Sequence, residues 1–171
     1  MVCVAASSAA AQGRAWKPPT TLDRRGLTFL VGKQGIDTTG PGDLGGWLLG
    51  GPGGAVSTRF GVGEFQVHGR HYVTLDSMVT DGAKPLWKVL DAVWVPIVSK
   101  PLVFSRGCAH AAQLQAGDMN PDGAIMGIAV FEDAEFFSKV LFAWRADTTS
   151  QRFQILSPVD LRCYNDAFGV D

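Results

Sequence analysis

The stretch Asp118-Met-Asn-Pro-Asp-Gly-Ala-Ile125 sets an oxygen-bearing side chain at every second position and follows the third with a glycine. Calcium is a hard cation that takes roughly six to eight oxygen ligands, and residues two apart in a tight curl aim their side chains at one centre. The same residues have a simpler use. Asn120, Pro121, Asp122 and Gly123 fall in the order that a type I turn favours, from its first place to its fourth. We therefore expect a turn, with calcium at Asp118, Asn120 and Asp122 as the alternative use of the same residues. No other cofactor is expected.

The string resembles the opening two-thirds of the EF-hand or dockerin-type calcium loop. That resemblance implies Asp118, Asn120 and Asp122 as side-chain ligands and the Ala124 carbonyl as a further one. Gly123 would permit the sharp turn, and Ile125 would anchor the loop to the core. The pattern departs at its twelfth position, where a bidentate glutamate belongs and Ala129 stands. Pro121 also pushes Asn120 away from helical backbone, and the residues that follow read as strand rather than as an exiting helix.

His68 and His71 flank a hairpin tip, and His110 follows Cys108 two residues on. A turn at His68-Gly69 sets His71 opposite Gln66, which keeps the two histidines apart. His71, His110 and Cys108 make a zinc set only if folding gathers them. The carboxylates Glu64, Asp76, Asp81 and Asp91 are scattered, and no spacing selects a pair for acid–base work. Gly40-Pro-Gly-Asp-Leu-Gly45 matches G-x-G-x-x-G in letters only, because no convincing strand precedes it and glycine and proline where a helix should open deny it a phosphate-binding N-terminus. No G-x-S-x-G or H-E-x-x-H string is present.

These residues sit in a chain of 171 that is 46% hydrophobic and 18% charged, with a formal net charge of -1. That length supports one domain with a real core, and we expect residues 12–171 to form it. The near-neutral charge and the lack of a basic run argue against a nucleic-acid partner held by bulk electrostatics. No apolar stretch is long enough to span a bilayer. Residues 1–11 are small and uncharged, and Ala9-Ala10-Ala11 satisfies the small-x-small rule for leader cleavage, although the basic n-region is missing. We read them as the remnant of a signal peptide, and the protein as periplasmic or secreted, with a cytoplasmic protein as the alternative. Loss of Cys3 with the leader leaves Cys108 and Cys163 as an even pair, which an oxidising compartment would close into a disulfide.

The elements that position these groups read mostly as strands. Residues 27–31 form a short strand candidate. From Gly32 to Gly54, where nearly half of the glycines fall, we expect a loop, with Trp47 as an anchor or contact residue. Residues 64–75 read as a hairpin about His68-Gly69, 87–95 as a strand, and 124–131 as a strand buried on both faces. Residues 142–156 read as another hairpin, followed by a last strand ending at Cys163. Between them, Phe136, Phe137, Val140, Leu141 and Trp144 make a helical stripe with Asp133 as a cap; we expect a helix that gives way to strand near Phe142. The fold class is α+β, mainly antiparallel sheet with one or two helices. The expected function is a non-enzymatic binding or envelope module for a protein or small-molecule ligand. The alternative is a metal-assisted enzyme drawing on His71, His110 and the 118–122 acidic loop.

Overall fold

The computed structural model describes residues 17–24, 27, 30–32, 43–50, 56–80, 86–96, 98, 100–115 and 123–169. Most of them lie in β-strands, where successive side chains point to opposite faces of a sheet. Strands β1 (Asp43–Gly50), β2 (Val56–Val67), β3 (Arg70–Thr80) and β4 (Leu86–Val95) pair in that order into one antiparallel sheet. The β2–β3 hairpin turns at His68 and Gly69, whose φ values are 50 and 73°. Two consecutive positive φ angles match the twist of the flanking strands, which is why glycine recurs at such turns. The resulting register sets Gln66 opposite His71.

A second sheet contains β5 (Leu102–Ser105), β7 (Ile125–Val130), β9 (Val140–Asp147) and β10 (Arg152–Leu156), in the order β10-β9-β7-β5. A third, smaller sheet joins β6 (Cys108–His110), β11 (Leu161–Tyr164) and β8 (Phe136–Phe137) in that order. The helix α1 spans only Ala111–Gln115.

The sheets are layered. Leu49, Val62, Val73, Leu75, Val93 and Val95 of the first sheet pack on Met126, Ile128, Phe142, Trp144, Ala146 and Phe153 of the second. The opposite face of the second sheet presents Ile125, Ala129 and Ala143 to Cys108, Phe137, Leu161 and Cys163 of the third. A middle sheet covered on both faces needs apolar side chains in both directions, so β7 reads as an unbroken apolar run. Gly127 interrupts that run for a steric reason: a Cβ there would lie 3.0 Å from Cys163 Sγ and 3.2 Å from Cys108 Sγ.

Those cysteines face each other across β6 and β11 and are bonded at 2.01 Å, both fully buried. The pairing expected of Cys108 and Cys163 is thus present. Its closed loop of 55 residues corresponds to about 4 kcal/mol in the chain-entropy description.

Several expectations are corrected. The region 32–54 is not all loop, because 43–50 is β1; the ladder to β2 satisfies backbone groups that glycine-rich chain would otherwise leave to water. The strand expected at 27–31 is instead a turn where it is described, with Leu30 N–H donating to the Leu27 carbonyl at 2.9 Å. The helix expected from Asp133 is absent. Glu132 accepts from the Ser138 N–H and hydroxyl, both at 2.9 Å, which closes 132–138 into a loop. Phe136 then packs on Tyr164 while Phe137 enters the core, a strand-like division of two neighbouring rings. The molecule is therefore mostly antiparallel β, and the α+β description fits it only loosely.

Candidate ligand cleft on the first sheet

Along β2, Gly61, Gly63 and Phe65 alternate with Val62 and Glu64, so two of the three residues on one face carry no side chain. The register then decides what those gaps adjoin. Gly61 lies between Leu48 of β1 and Asp76 of β3, and Gly63 lies between Gly46 and Thr74. Asp76 is opposite Val89 on its other side. The outcome is a cleft of about 290 Å³ with a glycine floor, lined by Leu48, Phe65, Trp87 and Val89, with Asp76 let into it. A side chain would crowd its neighbours at both floor positions. A Cβ at Gly61 would meet the Trp47 carbonyl at 3.2 Å and the Trp87 ring at 3.4 Å. One at Gly63 would stand 2.8 Å from Phe65 Cε2, 2.8 Å from Thr74 Oγ1 and 3.0 Å from Asp76 Oδ2.

Asp76 is only 9% exposed. Its Oδ2 accepts from the Thr74 hydroxyl at 3.0 Å, while Oδ1 is enclosed and has no hydrogen-bond partner. Burial pushes its pKa up from 3.8 to about 6, against the opposing pull of the Thr74 hydroxyl.

Two further buried acids lie on the same sheet, and both are compensated. Glu64, 2% exposed, has Oε2 at 3.1 Å from His71 Nε2. Arg106 Nε lies 2.6 Å from Glu64 Oε1, an ion-pair contact out of line for a hydrogen bond. The His71 ring meets Phe104 edge-on at 5.3 Å, and Phe104 stacks on Trp144 at 5.8 Å. This cluster links the first hairpin to the turn just before Cys108. Asp91 accepts from Arg24 Nη2 at 3.0 Å and from the Phe153 N–H at 2.8 Å, so one carboxylate joins β4, β10 and the 17–24 segment. A larger cleft of about 620 Å³ lies between that segment and Trp94, Phe142 and Trp144. Its charged residues, Asp23 and Arg24, are engaged in contacts of the fold, so the smaller cleft is the better candidate.

Asp118, Asn120 and Asp122 lie outside the described residues. The carbonyls just after them are in use, since Gly123 O accepts from Trp47 Nε1 at 2.7 Å and Ala124 O from the Ala146 N–H at 2.8 Å. Ile125 is buried among the residues of the third sheet. Trp47 stands on β1 rather than on a loop; it is half-buried, packs against the main core and lines the cleft. His71 lies in the Glu64 cluster, whereas His110 is exposed at the end of β6 in another sheet. Cys108 is committed to its disulfide. Among the described residues, no group of three or more His, Cys, Asp or Glu side chains is gathered so as to hold a metal. No helix among them is long and apolar enough to cross a membrane.

The sequence names Glu64, Asp76 and Asp91 but gives no ground for separating them, because what distinguishes them is the partner that folding supplies. The one local signal for the cleft is the Gly-x-Gly alternation at 61–63 inside a strand-forming run, which marks a close approach of backbone or ligand. No family model matches the chain, and neither the curated proteins nor the solved structures give a match. The class defined by the fold and the cleft is thus a layered antiparallel β protein with an acidic, glycine-floored recess.

Proposed function

We propose that this is an exported, non-enzymatic binding module whose ligand lies in the cleft over Gly61 and Gly63. The observation that carries the reading is Asp76, an acid set into an aromatic and glycine-lined recess where its charge works against folding. Ligand sites are concave, mostly apolar and supplied with a few polar groups that fix orientation, and strongly shifted titrating groups in clefts concentrate at such sites. The buried Cys108–Cys163 bond supports an oxidising compartment.

Tryptophan fluorescence and melting temperature, read against a small-molecule panel, test the proposal. Ligands are expected to raise the melting temperature and to alter emission through Trp87. Trp87→Ala or Gly63→Val, each checked for folding by circular dichroism, is expected to weaken binding at least tenfold. Binding indifferent to both substitutions would place the site elsewhere.

A further inference from the structure

We propose that the ligand of this cleft is an organic ammonium ion, its charge held at Asp76 and its flat or slender apolar body lying over Gly61 and Gly63 against Trp87 and Phe65. The inference rests on the binding reading above and narrows it to one chemical class.

A comparison within the molecule carries it. The first sheet buries Glu64, Asp76 and Asp91. Glu64 has Arg106 and His71, and Asp91 has Arg24. Asp76 has the Thr74 hydroxyl, and among the described residues no cation stands beside it. A buried charge is costly unless it is paired and hydrogen-bonded. The fold meets that requirement at two acids and leaves it unmet at the third, which is also the one that lines a cleft.

The lining points the same way. Among the described residues that line the cleft, Asp76 is the sole ionisable side chain, and it disfavours an anion. Trp87 and Phe65 line the cleft with aromatic rings, a residue type that attracts a cation and packs an apolar body alike. Gly61 and Gly63 let a flat group approach the backbone closely. A volume of about 290 Å³ lies at the small end of ligand pockets and suits a single-ring or short-chain amine.

The test uses the oxidised protein in mildly alkaline buffer, with matched sets that differ only in charge. Primary, secondary and quaternary arylalkylamines such as 2-phenylethylamine are titrated beside the corresponding alcohol and carboxylate by calorimetry. An amine is expected to bind at least tenfold more tightly than its alcohol, and the carboxylate not at all. Asp76→Asn is expected to erase the amine's advantage while leaving the alcohol's weaker binding in place. An alcohol that binds as tightly as its amine, or an amine preference that survives Asp76→Asn, overturns the ammonium assignment. If that binding is still lost in Trp87→Ala, the cleft reading stands without it. No binding by any set at millimolar concentration overturns both.

Discussion

At the scale of single residues, Asp76 makes the molecule less stable than it need be at neutral pH. Its carboxyl holds a proton more tightly folded than unfolded, with the folded pKa at about 6 against 3.8. The sign follows from linkage: stability rises as pH falls through 6 and levels off below 3.8, and above 6 the charge costs on the order of 3 kcal/mol. Glu132 and Asp147 act in the opposite sense. Hydrogen bonds from the Ser138 N–H and the Ser150 hydroxyl, respectively, hold them below their ordinary values, so their contribution is lost as acidity increases. Asp76→Asn separates the two behaviours. Urea unfolding across the acid range is expected to show the variant more stable than the parent at neutral pH, by about 1–3 kcal/mol, with the difference vanishing near pH 4. A variant less stable than the parent at neutral pH would show that the charge is compensated. Little of this is legible in the sequence, where Asp76 is one acid among several; Thr74 reaches it by simple alternation along β3, but the opposing Gly61 enters only through strand register.

At the scale of elements, what was legible depended on how local the cause was. The hairpins at 68–69 and 148–150 follow from turn residues and alternation, and β7 follows from its apolar run. Between 133 and 144 five apolar residues fit helical spacing, but a local loop contact, Glu132 to Ser138, and a long-range one, Phe136 to Tyr164, decide against the helix. The 43–50 strand was obscured by its glycines, which argue for a loop until β2 supplies a ladder. Gly127 offers the sharpest element-level prediction. Gly127→Ala would press a methyl against both cysteine sulfurs and the Phe142 carbonyl, at 3.0–3.2 Å. Denaturant unfolding is expected to show a loss of about 1–3 kcal/mol, the range for overpacking a filled core. An unchanged midpoint would mean that the second and third sheets are not tightly joined there.

At the scale of the whole molecule, layering determines which surface is left for a ligand. The second sheet is covered on both faces, and the third packs on it with its own buried disulfide set against Gly127. The outer face of the first sheet is partly covered, with Leu27 and Leu30 packing on Tyr72, Val89 and Ala92. The rest of that face holds the cleft. Composition and cysteine count pointed to a binding module with a disulfide, yet gave no means of placing a site, because a cleft is a property of stacked sheets and not of a string. Recognition of an ammonium ion in the cleft requires that Asp76 have no protein cation beside it. Carbon-detected magnetic resonance of the Asp76 side-chain carboxyl, followed through a pH titration of the folded protein, tests that condition directly. The account predicts a midpoint near 6 that falls when an ammonium ligand is added; a midpoint at the ordinary aspartate value of about 3.9, unmoved by such a ligand, would contradict it.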